Sequence, residues 1–456
     1  MIIPTVDRFH YVGVAPFSHA GFLTAEVSKA SESQIASKAK PVITTLDNGL
    51  TIVTQTNPTL YSAGVNVFVH VGSVNENEHN SGATHFLEHM VFKRTKSRSG
   101  KEIAEEAENS GASINAATSE DHTFYHTQAL GENIMAPTLV YLDMLLNNKM
   151  LQKEFDIEKG VILEEAKGYE DDPTSRAMHL AQETYCSGHP YGKRVIGTQS
   201  TISGMQRSDL KRFLTDFYTP DNMIVSLAGN FDVDAAIRQI DDFTSSVTRK
   251  TIREEVPLLT YNVQNANDSM NIQQSHVVLM SKGYSLLDDK RYALLVLNQA
   301  FSGGLSSRLF QNVRAKSGYC YSVESIPDFN TFGGVFMVYS GLRKDKVQEG
   351  INLILKEMKK VKKSGLTSAE LEKAKTKIRT ALMMKEEIAK LSAYSNGVNY
   401  MERGEILPVE EVDRKIRAVT NEDIMQVARE IFDPAFMAAY VVGPKKFLPK
   451  NVDLSV

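Results

Sequence analysis

The chain has no tryptophan and only two cysteines, Cys186 and Cys320, in 456 residues. Two thiols cannot staple a chain of this size. A disulfide framework is therefore excluded, and each cysteine reads as a buried free thiol. That usage fits a reducing compartment, cytoplasmic or mitochondrial-matrix-like. A strong charge of one sign is also missing, because the net charge is −4. Nothing in that balance points to nucleic acid or to an anionic membrane surface as a partner. No apolar run approaches the ~18 to 20 residues that cross a bilayer. The short glycine loop "FSGGLSSR", Phe301 to Arg308, lacks the lysine and spacing of a phosphate cradle. The chain is 42% hydrophobic, and its length suits about two to four domains rather than one core.

Residues 1–40 make a poor secretory signal. Pro16, Ser18 and His19 interrupt the apolar part, and Asp7 stands where a basic residue belongs. Val27 to Lys40 is small and polar. The segment reads as a plain N-terminal arm, with a cleaved organellar leader as the other reading.

Strand signals begin at Val42. In "VITTLDNGLTIVTQT" the Asn48-Gly49 pair sits between alternating apolar residues, a hairpin cue. Helical and strand patterns then alternate to the end. The chain also contains itself twice. Ile202 to Gly229 aligns with Ile416 to Gly443 without gaps at a shift of 214, matching Asp209 to Asp423, Pro220 to Pro434 and Met223 to Met437. The same shift sets Glu158-Lys159 on Glu372-Lys373. The expectation is an α+β protein of two similar halves, each a mainly antiparallel sheet packed by helices. The halves are placed at 41–245 and 269–456, with the polar stretch 246–268 as linker.

Chemistry concentrates in "THFLEHMVF", Thr84 to Phe92. Gly82 and Thr84 can open a helix there. On a helix, His85 and His89 share a face and can offer two imidazoles to one ion. Zinc suits such a pair and tolerates a site of three protein ligands. Glu88 borders the same face and can act as a general base on zinc-bound water. Chance occurrences of H-x-x-E-H in such a chain number roughly 0.02, so the motif outweighs the alternative of a polar face on a surface helix. A third ligand is required. "FDIEKGVILEEAKGYEDDP", Phe155 to Pro173, places Glu158 and Glu165 on one helix face with Ile162 between them. Glu164 and Glu170 read as solvated. His122 and His126 in "EDHTFYH" read as structural residues of a strand. Lysine-rich Lys356 to Gly365 reads as a solvated helix end.

H-x-x-E-H is the inverzincin signature. With a carboxylate motif about 75 residues on (Glu165 is 76 after His89), the chain resembles the pitrilysin-type zinc metallopeptidases. Within them it resembles the processing-peptidase branch, which holds the mitochondrial processing peptidase β subunit and its bacterial relatives. Matching stretches include "TTLDNGLTIVTQ", "NSGASINAATS", "HPYGKRVIGT" and "LSSRLFQNVRAKSGYCYSV". They cover nearly everything after about residue 41, and the last is closer to bacterial-type members.

The resemblance implies zinc ligands at His85, His89 and Glu165, with Glu88 as base. Glu158 would be a supporting carboxylate that orients a histidine. "INAAT" would be an edge strand on which peptide lies extended, through Asn115 and Ala116. Arg314 and Tyr321, seven apart, would reach across from the second half toward the developing oxyanion. At the 214 shift, His85, Glu88, His89 and Glu165 fall on Gln299, Ser302, Gly303 and Arg379. None of these can replace its counterpart, so one zinc per chain is expected.

The resemblance further implies halves closing around a peptide-binding chamber. The substrate would be an extended peptide or an unfolded leader of a precursor protein. The chain would work as a homodimer, or as a heterodimer with a related subunit. Glu120, Asp121 and Glu170 to Asp172 would suit a basic substrate, or else form a solvated rim. The alternative is a subunit of a heteromeric processing peptidase, or a structural core-type subunit with little activity alone. The four intact site residues favour the enzyme.

Overall fold

A computed structural model describes residues 39–251 and 255–455. The arm or leader read over residues 1–40 lies outside the described residues except for its last two.

The first half runs β1 (Val42–Thr45), β2 (Thr51–Thr56), β3 (Ser62–Val69), α1 (Ala83–Val91), α2 (Gly100–Asn109), β4 (Asn115–Thr118) and β5 (Thr123–Leu130). It continues α3 (Met135–Leu146), α4 (Gln152–Asp171), α5 (Pro173–Tyr185), α6 (Gln199–Gly204), α7 (Arg207–Phe217), β6 (Met223–Gly229) and α8 (Val233–Thr244). The second half runs β7 (Ala266–Ser269), β8 (Gln274–Lys282), α9 (Lys290–Ser302), β9 (Cys320–Asn330), β10 (Gly333–Arg343) and α10 (Val347–Ser364). It ends with α11 (Ser368–Lys385), α12 (Ala389–Arg403), α13 (Val409–Ala418), α14 (Asn421–Ile431) and β11 (Ala438–Gly443). β7 starts inside the stretch read as a linker.

Two sheets result. The first has the order β1-β2-β6-β3-β5-β4, the second β7-β11-β8-β10-β9. Among the described residues, only β2–β6 and β7–β11 pair in parallel. The Asn48-Gly49 cue marks the β1–β2 hairpin, where Gly49 takes φ 93°, a conformation glycine adopts without steric cost. The fold is thus α+β with mainly antiparallel sheets, as the alternating patterns indicated.

Each sheet is buried on both faces, and the two faces are covered differently. In the first, Val65, Val67 and Val69 of β3 join a core with Phe86, Leu87 and Met90 of α1 and Val140 and Leu145 of α3. On the opposite face, Phe68 and Phe124 pack on Tyr394 of α12, a helix of the second half. In the second sheet, Val277 and Leu279 of β8 face Leu294 and Leu297 of α9. Val278 and Met280 face Ala177, Met178 and Ala181 of α5, a helix of the first half. This exchange explains why the strands read as near-continuous apolar runs and not as alternation, since neither face meets water.

Candidate metal centre and active site

The motif helix is sealed at its start by a distant side chain. Gly82, at the N-cap of α1, has φ 94° and no side chain with which to cap. Glu76 does so instead: its Oε2 accepts the Gly82 N–H at 2.8 Å and its Oε1 the Thr84 N–H at 2.7 Å. Two helix-start donors are thereby satisfied in the interior. Burial pushes the Glu76 carboxyl up to about 7, against the lowering pull of these two bonds. All nine residues of α1 are buried. The reading of a polar stripe on a surface helix therefore does not describe it.

α4 crosses α1, with Phe155 stacked on Phe86 at 4.9 Å between ring centres. That contact carries Glu165 to the histidines. Its Oε1 lies 3.7 Å from His85 Nε2 and its Oε2 lies 3.5 Å from His89 Nε2. One donor atom from each of the three residues lies within 4.8 Å of the others. These separations are too long for good hydrogen bonds. They are close to the ~3.3 Å between donors placed tetrahedrally at zinc bond lengths of about 2.0 to 2.1 Å. Both ring nitrogens of His85 are buried and lack a hydrogen-bond partner among the described residues. Burial, then the neighbouring His89, holds the His85 ring well below its usual pKa, in the neutral form that can ligate. The residues present fit a zinc ion.

Around these donors the structure supplies orientation. His89 Nδ1 lies 2.9 Å from Glu158 Oε1, and Lys93 Nζ donates to Glu158 Oε2 at 2.6 Å. A carboxylate only accepts, so His89 carries its proton on Nδ1 and presents Nε2 toward Glu165. Burial opposes charge on Glu158, but the bonds from His89 and Lys93 outweigh it and lower its pKa. For His89 burial opposes charge too. The Glu158 bond and nearby carboxylates win and raise its pKa. Glu88 receives the Thr118 hydroxyl on Oε2 at 2.5 Å. Its pKa is raised, by burial first, with the Thr118 bond pulling the other way. A buried carboxylate with a raised pKa accepts a proton more readily than a solvated one.

The structure brings together His85, Glu88, His89, Glu158 and Glu165. β4, with Asn115 and Ala116, ends the first sheet, and Thr118 on that strand ties it to Glu88. Arg314 lies over the Tyr321 ring at 5.1 Å, Tyr321 is 76% exposed, and among the described residues neither hydrogen-bonds the histidine pair. Glu120 and Asp121 are buried and form no solvated rim. Glu170 pairs with Arg194, and Asp172 caps α5.

In the second half, the Gln299 amide donates to Gly303 O at 2.6 Å and Arg379 pairs with Asp413, so these positions satisfy one another or near neighbours. Glu76, Lys93 and Thr118 were not singled out from sequence. Lys93 had a signal, four residues beyond His89 on the same turn pattern. Thr118 and Glu76 had none, because a strand and a loop deliver them.

Two family models match the chain. The one described as insulinase (peptidase family M16) covers residues 51–199, and the one described as peptidase M16 inactive domain covers 204–378. A Bacillus subtilis (strain 168) protein, uncharacterized zinc protease YmxG, is 31% identical over 405 residues, 89% of this chain and 98% of its own. A Streptomyces coelicolor protein, uncharacterized zinc protease SCO5738, is 30% identical over 442 residues, 93% of this chain and 96% of its own. A crystal structure of a protease from Helicobacter pylori matches with a TM-score of 0.83 at 23% identity, covering 89% of this chain and 100% of that one. A peptidase M16 inactive domain from Pseudomonas fluorescens matches at 0.82 and 17%, covering 91% and 99%. The two structural likenesses speak to the fold.

Proposed function

The chain belongs to peptidase family M16, and from that premise we propose that it is a zinc-dependent endopeptidase whose site is made by the first half. One observation carries the reading: the buried, unpartnered His85 ring stands with His89 and Glu165 at ligand spacing, beside Glu88. His85, His89 and Glu165 would hold one zinc ion. Zinc at such a site polarises a peptide carbonyl and brings the pKa of water down to about 7.

Glu88 takes the proton of the attacking water on its carboxylate and returns it to the leaving amine. Thr118 fixes the rotamer in which it does so. Glu158, itself held by Lys93, keeps His89 in the tautomer that presents Nε2. The edge strand β4 would take an extended peptide as an added strand through Asn115 and Ala116. Substrates are then extended peptides or unfolded leader segments. The first half, 41–245, would be catalytic. The half at 269–456, joined through 246–268, would hold substrate and contribute Arg314 and Tyr321 to the oxyanion once peptide spans both.

The test is Glu88→Gln. This variant should bind zinc as wild type does, while peptide hydrolysis falls by about 10²-fold or more. Equal cleavage by wild type and variant would overturn the mechanism. Zinc binding without cleavage by wild type alone would favour the alternative, a subunit that needs a partner.

A further inference from the structure

Two arginines of the second half stand inside the protein without a counter-charge. Arg291 lies in the first turn of α9, and Arg403 is the last residue of α12. Arg291 is 9% exposed. On both side chains Nε is buried and has no hydrogen-bond partner among the described residues. The groups they do bond are neutral. Arg291 Nη2 donates to the Tyr292 hydroxyl at 2.6 Å, and Arg403 Nη2 donates to Leu286 O at 2.7 Å. Leu286 stands in the loop that leads into α9, five residues before Arg291, and so draws Arg403 toward it. The acids of this region serve other partners. Asp289 holds Lys415 at 2.7 and 2.8 Å, Glu430 holds Lys290 at 2.9 and 3.0 Å, and Asp288 Oδ1 takes the Lys290 N–H at 2.8 Å. Among the described residues, no carboxylate forms an ion pair with either of the two guanidiniums. Burial comes first in lowering the Arg291 pKa; Tyr292 pulls the other way, and the charge of Arg403 lowers it again. The two like charges are therefore close enough to act on one another.

An arginine stays charged in a protein, and a buried charge left without a partner is costly. A second like charge beside it adds repulsion. The guanidinium fork matches an oxyanion through paired N–H donors. Here each fork bonds through one nitrogen only among the described residues, so most of its donors are left to a ligand. We infer that Arg291 and Arg403 form a binding site for a phosphate-type dianion, held between the start of α9 and the end of α12. Two positive charges with no acid between them are balanced by two negative ones, so a phosphate fits better than a lone carboxylate. The group is inorganic phosphate or the phosphate of a monoester such as phosphoserine, and the recognition is the same for both. None of the zinc-site residues takes part. Through Arg403 the anion would tie α12, which covers the first sheet, to α9, which packs on the second.

The experiment uses the full zinc-loaded chain in buffers free of phosphate, with chloride keeping the ionic strength equal. Scanning calorimetry reads the thermal midpoint, and isothermal titration reads affinity for inorganic phosphate, sulfate, phosphoserine and acetate. Phosphate and sulfate should raise the wild-type midpoint, and acetate should not. A rise with phosphoserine too assigns the site to a monoester, and a rise with the inorganic anions alone assigns it to free phosphate; both patterns uphold it. Arg403→Gln, at a half-buried helix end, should weaken phosphate binding about tenfold or more. Arg291→Met is the second variant. It should abolish the rise without lowering the midpoint in chloride alone, because it removes a buried charge that has no partner. His85→Ala should keep the phosphate response, since the zinc has no part in it. No rise specific to phosphate in wild type, meaning that water alone solvates both guanidiniums, overturns the inference. So does a phosphate response that Arg403→Gln and Arg291→Met share equally with wild type, or one that His85→Ala removes.

Discussion

Glu76 puts a carboxylate where solvent cannot reach it, and the cost of that placement is readable in stability. Its pKa is raised from 4.5 to about 7, by burial first. A group whose folded pKa lies above its unfolded value contributes stability that is full below the unfolded value and is lost as pH rises through the folded one. Between about pH 4.5 and 7, then, Glu76 makes stability fall as pH rises, by about 3 kcal/mol at most. In Glu76→Gln that part of the unfolding profile should flatten; an unchanged slope in denaturant titrations across the window would sink the account. Glu158→Ala should weaken zinc binding about 10- to 100-fold, because His89 loses the acceptor that fixes its tautomer. Competition with a chelator of known affinity reads that change. Thr118→Val keeps the shape of the side chain and removes the donor to Glu88. A fall in kcat of about tenfold with KM little altered is expected, and an unaltered kcat would remove Thr118 from the positioning of the base. At this scale the sequence showed what lies within one helical turn. His85, Glu88 and His89 were visible because i, i+3 and i+4 share a face. Glu76 and Thr118 were not, because no local spacing ties them to the motif.

At the scale of elements, α12 lies so close to the first sheet that glycine is required on both sides. A Cβ on Gly64 of β3 would stand 2.4 Å from the Lys390 backbone, and one on Gly397 of α12 would stand 2.3 Å from the Phe68 ring. The Asn66 amide donates to Lys390 O at 3.0 Å and the Ser226 hydroxyl to Ala393 O at 2.6 Å, so the helix backbone is bonded to the sheet side chains as well as packed on them. Gly64→Ala must push backbone away from backbone and should cost about 1–3 kcal/mol. Gly160→Ala is the control, since its Cβ would meet nothing within 4 Å at an exposed position of α4. That change should stabilise by up to about 1 kcal/mol, the helix-propensity difference. Denaturant midpoints of the two variants moving in the same direction would contradict this account. The existence and type of these helices were legible from periodicity. Their exchange between sheets was not, because an apolar helix face says only that it is covered, never by what.

Across the whole molecule, the repeat read from one aligned stretch extends to the topology. Shifting the first sheet by 214 lays β2, β6, β3 and β5 over β7, β11, β8 and β10, and β4 and β9 hold the same place at the end of the strand order, with β1 as an added edge. α7 (Arg207–Phe217) falls on α14 (Asn421–Ile431) residue for residue, and α5 falls on α12. The two exchanged helices are therefore copies of one another, and each half completes the other's core. Tyr185 of α5 donates through its hydroxyl to Phe436 O at 2.6 Å, and the Asn396 amide of α12 donates to Gln55 Oε1 at 2.8 Å. Thr174 and Tyr339 pair their hydroxyls at 3.1 Å across the same junction. Such halves cannot part without each exposing an apolar sheet face and leaving buried polar groups unpaired, a loss that hydrophobic burial makes large. The covalent link between them should then be dispensable once the chain has folded. With a protease site inserted between Arg249 and Lys250, both exposed, cleavage should give two fragments under denaturing conditions. In native buffer they should travel as one particle of the uncut mass and keep peptidase activity. Halves that separate after the nick, without denaturant, would show that the exchanged helices do not hold the molecule together.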